Sequence, residues 1–100
     1  MTACAVTITN ALGMHARAAA RFVHMASTFQ SRVRVSRGTQ EMDGKSIMGL
    51  LLLAAAQGTS LTISADGVDE VDAIATLRAL VERGFDEAPF DTAQGRPPCA

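Results

Sequence analysis

The apolar pattern predicts a two-layer α+β sandwich, on three observations. Segments with apolar residues at every second position alternate with segments at helical spacing, in the order β-α-β-β-α-β-α. Glycine, Asn or Ser marks most of the junctions between them. The chain has 100 residues, of which 28 are Val, Ile, Leu, Met or Phe, enough for one modest core and too few for a second domain. Pattern alone leaves two arrangements open: a split βαβ sheet of the ferredoxin type, or another antiparallel sheet covered on one face by helices.

Residues 3–9 place Cys4, Val6 and Ile8 on one face and Ala5, Thr7 and Thr9 on the other, as in a half-buried strand. Asn10 to Gly13 reads as a turn. From Ala16 to about Thr28, Ala19, Phe22, Val23 and Ala26 recur at i, i+3, i+4 and i+7, which predicts a helix with His15 at its mouth. Val33 and Val35 alternate with Arg32, Arg34 and Ser36 in a second strand with a basic outer face, and Gly38 turns the chain into a short third strand around Gln40–Met42. Ser46 is a good N-cap for an apolar helix running from Ile47 to about Ala55. Leu61, Ile63 and Ala65 form a fourth strand. Asp69, Glu70 and Asp72 complement the dipole of a last helix, whose buried stripe is Val71, Ile74, Leu77 and Val81 and whose stop is Gly84. All three prolines, Pro89, Pro97 and Pro98, follow residue 88, so the domain is expected at 1–87 and a flexible tail at 88–100.

Composition excludes several functions. Four Phe with no Trp or Tyr leave no aromatic platform for stacking bases, so nucleic acid is not an expected partner. The net charge of −1 divides into +4 over residues 1–45 and −5 over 46–100, which places a basic patch near the N-terminal elements, suited to an acidic partner or an anion. Cys4 and Cys99 sit at opposite extremities with no Cys or His at ligand spacing; they read as reduced thiols, with no metal site. The longest apolar stretch, Ile47 to Ala56, falls short of the ~20 residues of a membrane span, and no signal peptide is visible. A soluble cytoplasmic protein without a cofactor is expected.

Gly13-Met14-His15-Ala16-Arg17 is the most informative stretch. A histidine where a helix begins faces unpaired backbone N–H groups and the positive end of the dipole, a setting that welcomes an anion and disfavours an imidazolium. Neutral imidazole is a nucleophile able to take a phosphoryl group, and the helix N–H groups with Arg17 can hold the phosphate oxygens. His24 does not join His15 in a metal pair, since nine residues at about 100° each put the two on opposite faces of one helix.

This stretch resembles the active-site loop of the histidine-containing phosphocarrier (HPr) family and its nitrogen-related branch, in which a Gly-Leu/Met-His-Ala-Arg-Pro-Ala segment carries the phosphorylated histidine. Gly44-Lys45-Ser46-Ile47-Met48-Gly49-Leu50-Leu51 is similar to the regulatory serine region of the same family. The likeness spans roughly residues 3–87. It implies an open-faced β-sandwich, a four-stranded antiparallel sheet with three helices on one side. It further implies that His15 accepts a phosphoryl group through Nδ1 from phosphorylated enzyme I, charged by phosphoenolpyruvate, and passes it to a histidine of an enzyme IIA component. Such a protein is a phosphoryl carrier, acted on by partner enzymes rather than an enzyme itself. Arg17 takes the role of the phosphate-contacting arginine, and Ser46 that of the residue modified by a serine kinase/phosphorylase. The family's usual Pro after the arginine is replaced by Ala18, which adds an N–H donor to the first helical turn.

Ile47, Met48, Leu51 and Leu52 cannot all face the core from one short helix, so part of them is expected to form an exposed docking patch ringed by Arg17, Arg21 and Lys45 and bordered by His24. Gly49 inside that helix costs about 1 kcal/mol relative to Ala and suggests close approach by another surface. A phosphate on Ser46 would lie at a helix N-terminus and repel an acidic partner without touching His15. The reading that follows is a monomeric phosphocarrier. Its alternative is a regulatory binding module controlled through Ser46 without significant phosphoryl transfer. The Gly-Met-His motif and the Arg-Gly-Phe-Asp-Glu run at 83–87 resemble the nitrogen-related branch, whereas Lys-Ser-Ile-Met-Gly resembles the kinase-regulated sugar branch.

Overall fold

In the computed structural model, residues 1–86 are described, and the expected tail with its three prolines and Cys99 lies outside them. Strand β1 (Thr2–Thr7) leads to helix α1 (Ala16–Ala26), strands β2 (Arg32–Arg37) and β3 (Gln40–Asp43), helix α2 (Ile47–Leu52), strand β4 (Ser60–Asp66) and helix α3 (Glu70–Glu82). The four strands form one sheet in the order β1-β4-β2-β3, every pair antiparallel. The ferredoxin-type alternative falls here, because the strand lying between β1 and β2 is β4 rather than β3.

The alternation read from the sequence separates the two faces of the sheet. Val6, Ile8, Val33, Val35, Leu61, Ile63 and Ala65 point inward and are buried against Phe22, Leu50, Leu77, Leu80, Val81 and Phe85. Residues of this size contribute about 1.5–3 kcal/mol each on burial, which makes this layer the source of most of the stability. On the opposite face, Ala3, Ala5, Thr7, Arg32, Arg34 and Thr62 are exposed, so the sandwich is open. Among the helices, α1 packs on both α2 and α3, α3 lies over β1 and β4, and α2 lies against β3.

Two expectations need correction. Helix α2 ends at Leu52, not near Ala55, because Ala54 adopts a left-handed φ of 51° and lets the Leu53 and Ala55 side chains both turn into the core. Val71 is 67% exposed rather than part of the α3 stripe. That stripe is Ala73, Ile74, Leu77, Leu80 and Val81, centred near Leu77, and Val71, six residues before Leu77, lies about 120° away around the helix. Beyond Gly84 the chain folds back, Phe85 N–H donating to the Leu80 carbonyl at 2.9 Å and its ring becoming fully buried.

Candidate functional site

His15 is the N-cap of α1, with extended backbone (φ −84°, ψ 178°), and its carbonyl accepts the first helical bond, from Ala19 N–H at 2.8 Å. The first turn, Ala16, Arg17 and Ala18, therefore presents N–H groups that have no intrahelical acceptor. Arg17 is exposed, while Ala18 is completely buried and belongs to the core. Within the loop before His15, Gly13 N–H donates to the Asn10 carbonyl at 3.1 Å and His15 N–H to the Gly13 carbonyl at 2.9 Å. Asn10 Nδ2 donates to the Gly13 carbonyl at 2.8 Å, and Met14 N–H donates to the Ala55 carbonyl at 2.8 Å. Gly13 has a φ of +68°, and a Cβ there would stand 2.4 Å from the Ala55 oxygen. The loop is thus seated directly on the turn that follows α2.

That contact sets the relation between the two sequence motifs. The His15 loop meets the C-terminal end of α2, whereas Ser46 caps its N-terminal end, its Oγ accepting from Gly49 N–H at 3.1 Å. Six residues at 1.5 Å rise separate the ends by about 9 Å along the axis. Lys45 lies at the far end too, where its Nζ donates to the Phe29 carbonyl at 2.9 Å.

Of the expected docking residues, Met48 (67% exposed), Leu52 (60%) and Ile47 (42%) form an apolar surface on α2, with Leu12 (72%) of the loop also exposed. Leu51 is half-buried against the core. Gly49 is buried, and the surface that approaches it is the chain's own: a Cβ there would be 3.3 Å from Met42 Cβ of β3. Arg17, Arg21 and His24 lie within about 60° of one another around α1, and together line a groove of about 480 Å³ between α1 and the end of α3, with Met25, Leu80 and Asp86. Arg21 Nη1 donates to the Phe85 carbonyl at 2.5 Å, and the Arg83 guanidinium, with a smaller contribution from Arg21, holds the Asp86 carboxyl below the usual range.

Among the described residues no group of three or more His, Cys, Asp or Glu is placed to hold a metal ion. Two supports of the loop are not legible in the sequence pattern. Asn10 was read as a turn residue only. Arg37, to which the alternation assigned no role, donates to the carbonyls of Leu53 and Ala54 at 2.9 and 3.1 Å. Strand alternation gave no signal for that, because the bond depends on where the end of β2 meets the end of α2.

Comparisons with known proteins agree with this geometry. Residues 3–83 match the family model described as the PTS HPr component phosphorylation site. The chain is 46% identical over 81 residues to the phosphocarrier protein HPr of Cupriavidus necator, covering 81% of this chain and 91% of that one. It is 39% identical over 83 residues to the phosphocarrier protein NPr of Shewanella violacea, covering 83% and 91%. The crystal structure of HPr from Thermoanaerobacter tengcongensis superposes with a TM-score of 0.84 at 41% identity, over 88% of this chain and 99% of that one.

Proposed function

This chain belongs to the HPr family of phosphocarrier proteins of the bacterial phosphotransferase system, and from that premise we propose that His15 carries the phosphoryl group. The observation that carries the proposal is the placement of His15 at the open N-terminus of α1 with Arg17 two residues on. A ring nitrogen lone pair attacks phosphorus on phosphorylated enzyme I, a new N–P bond forms, and the bond to the donor breaks with its electron pair leaving on the donor group. The developing phosphate charge meets the α1 N–H groups and the Arg17 guanidinium. The same steps in reverse pass the group to a histidine of an enzyme IIA component. The protein acts as a carrier in the cytoplasm and not as an enzyme in its own right.

Docking belongs to the exposed Ile47, Met48 and Leu52 surface with the cationic Arg17, Arg21 and His24 side. Ser46 is the regulatory position: a phosphate there joins a helix N-terminus on the same short helix as the docking patch and repels an acidic partner. Both HPr and NPr relatives match, which supports either a sugar-linked or a nitrogen-linked chain of transfer. Incubation with labelled phosphoenolpyruvate and enzyme I tests the reading. An acid-labile label on the wild type that is lost in His15→Ala supports the carrier. Absence of label with a competent donor favours the purely regulatory module.

A further inference from the structure

We infer that Arg37 is a positioning residue for the phosphorylatable histidine, acting through the turn between α2 and β4; this rests on the phosphocarrier reading of His15. Arg37 ends β2, and its Nη1 donates to both the Leu53 and the Ala54 carbonyls. Leu53 is the C-cap of α2 and Ala54 the residue after it, and a guanidinium suits both the lone pairs of their carbonyls and the negative end of the helix dipole. Ala54, between them and the next peptide, holds a left-handed φ of 51°, which an L-residue with a Cβ adopts only under tertiary constraint. One peptide further, the Ala55 carbonyl accepts the Met14 N–H at 2.8 Å and stands against Gly13. Met14 is the residue before His15 and is itself buried. An unbroken path thus runs from the Arg37 guanidinium through the 53–55 carbonyls to the backbone that aims the imidazole.

Without the guanidinium the two carbonyls turn to water and Ala54 is free to relax to negative φ. That relaxation swings the Ala55 carbonyl away from Met14 and loosens the peptide preceding His15. Docking surfaces on α1 and α2 are untouched by the change. The consequence is a loss in the rate of the transfer step rather than in partner affinity, since a displacement of about 1 Å at a reacting group costs up to 10²-fold in rate.

The test compares Arg37→Met, Arg37→Lys and Arg34→Met in the full chain. Arg34 lies on the open face of the same strand and makes only an exposed ion pair with Glu41 at 3.4 Å, so Arg34→Met matches the change in charge. Expected for Arg37→Met is a kcat for phosphoryl acceptance from enzyme I lowered about tenfold with KM within about twofold of wild type. Exchange of the Met14 amide should rise about tenfold or more while the Leu77 amide in the core of α3 stays protected. Arg37→Lys, which keeps a donor on a long stem, should recover most of both effects. Equal kcat and equal Met14 exchange in Arg37→Met and Arg34→Met would overturn the inference, and so would a rise in KM at unchanged kcat, which would move Arg37 to partner docking. If the wild type takes up no phosphate, the carrier reading fails by itself, and Met14 exchange still decides whether Arg37 holds the loop.

Discussion

Replacing Gly13 by Ala tests how tightly the His15 loop is seated, and a second glycine supplies the control. Gly13 and Gly38 have nearly the same left-handed backbone, φ +68° and +60°, but differ in surroundings. A Cβ on Gly38 meets nothing within 4 Å, whereas one on Gly13 would stand 2.4 Å from the Ala55 oxygen and 2.9 Å from Ala56 Cα. The left-handed conformation costs an Ala about 1–2 kcal/mol, and the stiffer unfolded chain returns about 0.4–1 kcal/mol, so Gly38→Ala should destabilise by about 1 kcal/mol. Gly13→Ala adds the loss of the Met14–Ala55 hydrogen bond, about 1 kcal/mol, and overpacking of at least about 1 kcal/mol, for a total near 3 kcal/mol. In a domain of this size that lowers Tm by roughly 12–24 °C. The assay is urea unfolding followed by far-UV circular dichroism, since the chain has neither Trp nor Tyr to report by fluorescence. Equal destabilisation of the two variants, within about 0.5 kcal/mol, would refute the close seating of the loop on the 55–56 turn.

Two further outcomes follow from single side chains. Glu70 accepts from the Thr2 hydroxyl at 2.6 Å and pairs with the N-terminal ammonium at 3.0 Å; the Thr2 bond first, then the N-terminal one, holds its carboxyl at about 2 against an ordinary 4.5. Because the folded value is the lower, this stabilisation is present above pH 4.5 and lost as the pH falls toward 2; Tm of the wild type should therefore drop through that range more steeply than Tm of Glu70→Gln, and parallel curves would contradict it. At Ser46, Ala removes the bond to Gly49 N–H and should cost about 1 kcal/mol while leaving transfer from enzyme I unchanged, whereas Asp keeps a cap and should slow transfer, so a Ser46→Asp variant that docks and transfers at the wild-type rate removes the regulatory reading of that residue.

Where local pattern and tertiary packing demand the same thing, the sequence was sufficient. β2 falls on Arg32–Arg37 as read, because Val33 and Val35 have only one way to reach the core from an alternating segment. His15 at the α1 N-terminus and Ser46 at that of α2 were legible because capping is decided within a turn of chain. Strand order was not, since two arrangements share the same alternation and differ only in whether β4 or β3 lies between β1 and β2. The end of α2 was misplaced because Leu53 and Ala55 are as apolar as the helix before them; a left-handed Ala54, held through Arg37, decides the boundary. The partners of two cations were illegible for a related reason: Arg21 turns to the Phe85 carbonyl and Lys45 to that of Phe29, both distant in sequence.

The most direct test of the central claim is a site-resolved one: proton–nitrogen correlation NMR of the histidine rings and backbone amides before and after phosphorylation by enzyme I and phosphoenolpyruvate. The expected result is a phosphoryl group on Nδ1 of His15, with the resonances of the Arg17 and Ala18 amides displaced and the His24 ring unmodified on the groove between α1 and α3. Phosphate on His24, or on His15 with the α1 amides unmoved, would contradict it, because the open end of that helix would then have no part in holding the group.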